Sequence, residues 1–73
     1  MPAPPVISGR EAVRAFGKVG WQVARQRGSH VVLIKVGVAA NLSVPDHKEL
    51  DRGTLRALIR LAGMTIEEFN ALV

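Results

Sequence analysis

The residue types that can carry acid–base or phosphate chemistry concentrate in one short stretch, Arg25-Gln26-Arg27-Gly28-Ser29-His30. Imidazole exchanges protons close to neutral pH, because its unperturbed pKa is about 6.5. Guanidinium groups hold phosphate oxygens through forked hydrogen bonds, while Gly28 and Ser29 are small enough to let a phosphodiester approach. The stretch is therefore the first candidate for a catalytic site. The structural alternative for His30 is a histidine at the start of a strand, hydrogen-bonded to a backbone carbonyl.

The second histidine, His47, follows Pro45 in a polar segment. It is a candidate for a second proton-transfer group or a phosphate contact, and equally for a residue that holds the loop or contacts a partner. Two histidines without other clustered ligands make a poor metal site. We therefore expect neither a metal nor another cofactor.

Length and charge limit the class of protein. The 73 residues are 48% hydrophobic, and ten Lys and Arg against six Asp and Glu give a net charge of +4 and a pI near 10.8. A chain of this size buries only roughly 60% of the surface that its unfolded form exposes, so its core is thin. The positive charge favours nucleic acid or an acidic protein as a partner, although a merely solvated surface has the same composition.

The sequence also favours a cytoplasmic location. Zero cysteines exclude a disulfide framework and suit a reducing compartment. No apolar run approaches the roughly 18 residues of a membrane helix, and residues 1–5 lack the basic and apolar regions of a signal peptide. We expect no membrane association.

The first helix is predicted from Ser8 onward, after a Pro-rich segment at residues 1–7 that we expect to be a flexible tail. Residues 8–73 then form a single domain. Ser8 and Glu11 have capping-box spacing, so each side chain can accept a hydrogen bond from a free backbone N–H. Glycine accepts the left-handed conformation found after a helix, which predicts the end at Gly20. The apolar stripe of this helix comprises Ala12, Val13, Phe16 and Val19.

Three strands follow, at residues 21–26, 30–36 and 38–44. Gly28 and Ser29 form the turn between the first two strands, and Gly37 breaks the chain after the second. Pro45 ends the third strand, because proline has no N–H to donate.

Alternation along the strands predicts which side chains share a face. The apolar face of the third strand is Val38, Ala40, Leu42 and Val44. In the first strand, Trp21 and Val23 point one way, and Gln22, Ala24 and Gln26 point the other. We expect Trp21 to lie in the core, beside the apolar end of the helix. The second strand is apolar on both faces, so alternation leaves the face of His30 open.

The remaining third of the chain carries two more helices. Residues 46–54 are predicted to be a polar loop, and a helix with its apolar residues at i, i+3, i+4 and i+7 follows, at Leu55, Leu58, Ile59 and Ala62. Gly63 ends it. Thr65 and Glu68 form a second capping box, which predicts a short last helix.

The element order is therefore helix, three strands, helix, short helix. An antiparallel three-stranded sheet should carry both main helices on one face and leave the other face polar. This α+β arrangement is that of a double-stranded-RNA-binding domain, a fold that reads RNA by shape and backbone contacts. Two basic rows lie away from the apolar stripes: Arg10, Arg14 and Lys18, and Arg52, Arg56 and Arg60. They are either solvated helix faces or, if they share an edge, a surface that follows an RNA backbone.

Several segments together resemble the HicA family of toxin messenger-RNA endoribonucleases. The segments, in chain order, are Ile7-Ser8-Gly9-Arg10-Glu11, Gly20-Trp21, Arg25-Gln26-Arg27-Gly28-Ser29-His30, Val44-Pro45-Asp46-His47-Lys48-Glu49-Leu50, Arg52-Gly53-Thr54-Leu55 and Ala62-Gly63-Met64-Thr65-Ile66-Glu67-Glu68-Phe69. The resemblance covers nearly the whole chain from Ile7 onward. Any one segment alone is weak evidence for the family, but the segments together, in this order and at this spacing, are specific to it.

The resemblance implies a bacterial type II toxin with the double-stranded-RNA-binding fold. Members of the family cleave messenger RNA without a metal, inhibit translation and growth, and are neutralised by a HicB antitoxin. The family's catalytic histidine follows Gly-Ser, which assigns the role of general acid or base to His30. The implied assembly is a monomeric free toxin that forms a hetero-oligomer with its antitoxin.

The chain departs from the family in the charge of its second and third strands. Relatives often carry basic residues there, whereas Lys35 is the only charged residue of these two strands. We therefore expect the RNA path to depend more on Arg25, Arg27 and Lys48, beside the small residues Gly28 and Ser29.

Three other functions compete with this one. A non-catalytic RNA-binding module of the same fold would bind RNA with His30 dispensable. A DNA-binding helix-turn-helix would use the turn at Gly63, but its second helix carries Glu67 and Glu68, which repel phosphate. A pure interaction protein would bind an acidic partner and leave RNA unaffected.

Overall fold

The computed structural model describes residues 3–73, so Met1 and Pro2 of the predicted tail lie outside the described residues. The first helix, α1, spans Gly9–Gly17 and begins at the predicted capping box. The Oγ atom of Ser8 accepts from the Glu11 N–H at 3.1 Å, and Oε1 of Glu11 accepts from the Ser8 N–H at 3.0 Å. A turn then leads to Gly20, whose φ of 101° is the left-handed value that favours glycine.

The cap makes part of the stability depend on pH. The Ser8 backbone N–H and then the Ser8 side chain hold the pKa of the Glu11 carboxyl below its ordinary value; burial opposes them, and the charge of Arg14 adds the least of the lowering effects. The resulting stability is present above the unfolded-state pKa and lost as pH falls through the lowered folded-state pKa.

We expect the melting temperature to drop less between about pH 6 and about pH 3 in Glu11→Gln than in the wild type. Glu67→Gln, which removes an exposed carboxylate without this cap, is the control. Equal drops in all three proteins would contradict this coupling.

The sheet has three antiparallel strands in the order β1-β2-β3. Their bounds are Gln22–Arg27, His30–Lys35 and Val38–Pro45. β1 is shifted by one residue at both ends relative to the predicted strand, whereas β2 ends one residue earlier and β3 one residue later than predicted. A bulge interrupts the pairing of β1 with β2 between Val23 and Arg25.

The bulge corrects one prediction about β1. Val23 pairs with Leu33, and Gln26 pairs with Val31, so Val23 and Gln26 lie on the face of the sheet that carries the core. Simple alternation put these two side chains on opposite faces, which is wrong. An extra residue in one strand reverses the alternation beyond it, and the sequence around Ala24 gives no sign of that insertion.

Both main helices pack on this inner face, as the sequence predicts. The second helix, α2, spans Arg52–Leu61 and starts inside the predicted loop, because Asp51 caps it by accepting from the N–H groups of Gly53 at 3.1 Å and Thr54 at 3.2 Å. The third helix, α3, spans Ile66–Asn70 and begins at the predicted capping box. The buried residues that join the sheet to the helices are Ala12, Phe16, Val31, Leu33, Leu42, Val44, Leu55, Leu58, Ile59 and Phe69. The predicted α+β fold is confirmed.

The chain packs against the domain before the predicted boundary at Ser8, since Pro4 and Ile7 are both buried. Ile7 is only 6% exposed, and its carbonyl accepts a hydrogen bond from the Leu50 N–H at 2.8 Å. Ile7 therefore belongs with the packed domain, although the composition of residues 1–7 predicted a tail.

Trp21 lies in the core as predicted, with 3% of its surface exposed, and its Nε1–H has no hydrogen-bond partner among the described residues. An unpaired buried donor costs about 1–3 kcal/mol. Trp21→Phe removes that donor and leaves a smaller ring in the site, so we expect the free energy of unfolding to change by less than about 1.5 kcal/mol. Trp21→Ala should cost about 3–5 kcal/mol. Urea unfolding followed by far-ultraviolet circular dichroism measures both, and an equal loss in the two variants would mean that the indole N–H is satisfied.

Candidate functional site on the outer face of the sheet

The β1–β2 hairpin closes through the two residues Gly28 and Ser29, between the paired residues Arg27 and His30. Gly28 has a φ of 58°, whereas Ser29 has no positive φ. Positive φ at the first turn residue alone is the geometry of a type II′ turn, which suits the twist of a hairpin and favours glycine there. The Gln26 side chain supports the turn by donating from Nε2 to the Gly28 carbonyl at 3.2 Å. The sequence thus fixes a tight turn directly beside the histidine.

The pairing register settles which face carries His30. Arg27 lies opposite His30 and Arg25 lies opposite Val32, so these side chains share one face of the sheet. The neighbouring Val31 points into the core. Arg25, Arg27 and His30 therefore lie on the outer face, which no helix covers. Arg25, Arg27 and His30 are all exposed.

The imidazole of His30 makes no side-chain hydrogen bond to another residue within 3–73. The structural alternative predicted a bond to a backbone carbonyl. Such a bond is absent from the described part of the chain, so the ring is available to a ligand. An exposed imidazole that makes no hydrogen bond within the described chain, beside two guanidiniums, suits proton transfer at a bound phosphodiester.

The loop after β3 reaches the same edge of the sheet. Pro45 pairs with His30 on the side away from β1, and the next residue, Asp46, donates its N–H to the Ser29 carbonyl at 2.6 Å. His47 and Lys48 follow and are exposed. The fold thus brings the predicted loop residues next to the hairpin turn.

The backbone of this loop is fastened to the start of α1. The Gly9 N–H donates to the His47 carbonyl at 2.9 Å. Arg10 adds an ion pair to Asp46, with Nη2 and Oδ2 3.3 Å apart, although the Arg10 side chain is 73% exposed. An exposed pair of this kind contributes at most about 1 kcal/mol. It orients the loop and engages Arg10, so this residue is less available to RNA than its position in a basic row suggests.

The comparison with known protein families agrees with this geometry. A family described as the HicA toxin of bacterial toxin–antitoxin systems matches residues 9–64, more than half of the chain. The chain belongs to the HicA toxin family. It is therefore the toxin of a toxin–antitoxin pair, and a cognate antitoxin is its partner. No curated protein matches it.

The matched segment of this HicA toxin begins at the first residue of α1 and ends between α2 and α3. It contains the hairpin turn, His30 and the loop with His47 and Lys48. Helix α3 lies outside the match, yet its Phe69 is fully buried and its ring centroid lies 5.0 Å from that of Phe16. The family segment thus holds every candidate site residue, while α3 completes the core.

The outer face of this HicA toxin is basic along β1 and uncharged along β2 and β3. Lys35 is the single charged residue of the last two strands. It lies on the same, inner face as Val31, and its side chain packs against Gly20. Val32 is 8% exposed and yet lies outside the core cluster. The side chains around it on the outer face must therefore cover it, and Arg25 is its partner on β1.

Ser43 is a site candidate that the sequence did not single out. It pairs with Val32 and precedes the partner of His30 by two residues, so its hydroxyl lies on the outer face near the hairpin. Alternation along β3 placed Ser43 on the polar face, but one hydroxyl among polar residues carries no signal of its own.

The two basic rows have different surroundings. On α1, Arg14 borders both β1 and the C-terminal segment, where Lys18 donates from Nζ to the Leu72 carbonyl at 2.6 Å. On α2, Arg56 and Arg60 line a depression formed with the start of α3. Neither row borders the outer face of the sheet through these contacts.

Residues 3–73 contain neither a metal-binding cluster nor a helix that could span a membrane. No group of three or more His, Asp or Glu side chains could hold a metal ion within this range. None of its helices combines the length and apolarity that crossing a bilayer requires.

Proposed function

We propose that this HicA toxin is a metal-independent endoribonuclease that cleaves messenger RNA, with His30 as its general acid or base. The observation that carries the proposal is the common exposed face of His30, Arg25 and Arg27 beside the hairpin turn. Membership of the toxin family supports the same reading. Loss of messenger RNA would stop translation and so inhibit growth.

The chemistry needs no nucleophile from the protein, because RNA carries a 2′-hydroxyl. The 2′-oxygen attacks the adjacent phosphorus, the bond from phosphorus to the 5′-oxygen breaks, and the products end in a 2′,3′-cyclic phosphate and a 5′-hydroxyl. One proton leaves the 2′-hydroxyl and one must reach the departing 5′-oxygen. His30 supplies one of these transfers, which contributes about 10²–10⁴ to the rate.

The two arginines of β1 bind the substrate in this proposal. A guanidinium can donate two parallel hydrogen bonds to phosphate oxygens and offset the charge that builds up on them during attack. Arg27 lies opposite His30, and Arg25 lies one pair further along the same face. Gly28 leaves open space above the turn, with no atom within 4 Å of the place that a Cβ would occupy. The backbone can therefore come close to a phosphodiester, and the Ser29 hydroxyl can donate to it.

In this proposal His47 and Lys48, in the loop after β3, contact the substrate from the other side of the site. Lys48 adds a positive charge that holds phosphate, and His47 is the candidate for the second proton transfer. Within the described residues, His47 holds the loop through its backbone carbonyl, which accepts a hydrogen bond from the Gly9 N–H. The ring itself is exposed, so it remains available for chemistry.

A HicB-type antitoxin would neutralise the toxin by covering His30 and the basic residues of β1. In this proposal the free toxin is a cytoplasmic monomer, and the two proteins form a hetero-oligomer. A purified complex that cut RNA at the full rate of the free toxin would contradict this part of the proposal.

The experiment that tests the function is cleavage of a defined RNA by the purified toxin in EDTA, beside His30→Ala. We expect the wild type to cleave in EDTA and the folded variant to have lost this activity. Equal cleavage by both proteins would exclude His30 as the catalytic group, and loss of wild-type activity in EDTA would exclude a metal-independent reaction.

A non-catalytic RNA-binding module is the second candidate. It is favoured by the lack of a side-chain partner that would orient the His30 ring within residues 3–73. RNA binding without cleavage by either protein would support it.

A further inference from the structure

An open groove of about 400 Å³ runs between α1 and β1, on the inner side of the sheet. Its floor consists of Val13, Val23 and Val31, and its rim carries Arg10, Arg14 and Gln26. No carboxylate lines it within the described residues. We refer to it as the α1–β1 groove.

The floor of the groove is apolar surface that the helices leave open. Val31, on the central strand, is 8% exposed, whereas Val23, beside it on β1 and on the same face, is 57% exposed. The packing thus leaves Val23 on the edge strand half uncovered. Burying the exposed part of Val23 against a partner is favourable because it removes apolar surface from water.

The backbone of β1 is open along the same groove. Among the strands of residues 3–73, β1 pairs with β2 only, and all six of its residues are exposed. Arg27 and His30 flank a two-residue turn and therefore form a hydrogen-bonded pair, so the next residue, Gln26, directs its N–H and C=O toward the open edge. Such an edge is a template on which an extended segment of another chain can pair.

We propose that the α1–β1 groove takes an extended acidic segment of the cognate antitoxin, which adds a fourth strand beside β1. Backbone hydrogen bonds would pair it with the edge, an apolar side chain would cover Val23, and carboxylates would meet Arg14 on one side of the strand and Arg25 on the other. The inference rests on the antitoxin partner of the proposed function, and it does not depend on RNA cleavage.

The chemistry of the groove favours an acidic protein segment over two alternative occupants, a second copy of this chain and single-stranded RNA. A second copy of this chain would bring the arginines of its own β1 against Arg25 and Arg27, and like charges directly opposite are destabilising. Single-stranded RNA binds best where aromatic side chains stack its bases, and this floor has only valines. A phosphate accepts from an edge N–H but offers nothing to an edge carbonyl, whereas a strand satisfies both.

The test compares binding of the co-expressed and purified cognate antitoxin to the wild type, Arg14→Glu and Val23→Ser. Arg56→Glu on α2 makes the same charge reversal away from the groove and is the control. We expect the dissociation constant to rise about tenfold for Arg14→Glu and to stay within about twofold of the wild type for Arg56→Glu. Val23→Ser should weaken binding without unfolding the toxin, because Val23 is half exposed.

A second measurement addresses the backbone directly. Amide hydrogen exchange of Gln26 should slow when the antitoxin binds, because its edge N–H becomes paired. Unchanged affinity in Arg14→Glu, or unchanged exchange at Gln26 in the complex, would overturn the proposal. Weaker RNA binding in Arg14→Glu with full antitoxin affinity would do so too, since the groove would then serve RNA. RNA cleavage by each free variant is measured separately, so a failure of the nuclease proposal remains distinguishable.

Discussion

Replacing His30 by Ala is expected to lower the rate of RNA cleavage by about 10²–10⁴, the usual contribution of one positioned proton-transfer group. The fold should survive. His30 is exposed and makes no side-chain hydrogen bond to the rest of the described chain, and substitutions of this kind usually change stability by less than about 0.5 kcal/mol. RNA affinity should also persist, because Arg25 and Arg27 remain on the same face. The measurements are single-turnover cleavage, RNA binding and thermal unfolding of the same preparation.

His47→Ala is the matched comparison, since it removes the other exposed imidazole and leaves the backbone carbonyl that accepts from Gly9. If His47 performs the second proton transfer, its variant should lose a comparable factor, and the double variant should lose little more than either single one. If His47 only shapes the loop through its backbone, cleavage should stay within a few-fold of the wild type. A His30→Ala protein that is folded and fully active would mean that this imidazole is not the catalytic group.

Local signals in the sequence predicted the elements well. Capping boxes need two residue types at fixed spacing, and both Ser8–Glu11 and Thr65–Glu68 form as predicted. The cap of α2 was missed, because Asp51 uses one carboxylate for two N–H groups and no partner residue marks it. An Asp within a polar loop looks the same whether or not it starts a helix.

The site was harder to predict because it depends on pairing between strands. The residues themselves were found from their chemistry and family spacing, but β2 is apolar on both faces, so only the register with β1 and β3 shows that His30 faces outward. The bulge at Ala24 reverses the alternation beyond Val23, so Gln26 joins Val23 on the inner face while Arg25 and Arg27 lie on the outer face with His30. A bulge is a property of the pairing between two strands, which a pattern of hydrophobic residues in one strand does not record.

The attachment of the site to α1 gives the second large prediction. Gly9 is buried at the start of the helix, and a Cβ there would overlap the backbone carbonyl oxygen of Pro45. Pro45 is the β3 partner of His30. The helix and the strand therefore approach each other at a point where only glycine fits, and the Gly9 N–H uses this closeness to reach the His47 carbonyl.

Gly9→Ala is therefore expected to destabilise the toxin by about 3 kcal/mol or more, the upper end for overpacking, because the atoms it meets are backbone and have no rotamer to change. In a domain of this size the melting temperature should fall by roughly 12–24 °C. Any protein that still folds should cleave RNA more slowly, since relieving the overlap moves Pro45 and the loop that carries His47.

Gly17→Ala is the control for the glycine itself. It makes the same change at the other end of α1, where no atom lies within 4 Å of the added Cβ. Alanine should leave stability unchanged or raise it by up to about 1 kcal/mol, because glycine is the weaker helix former. Thermal unfolding of the two variants separates the close approach from a general effect of helix propensity. If both variants melted at the wild-type temperature, α1 would not press on β3 at Gly9, and the coupling between the helix and the His30 edge would fail.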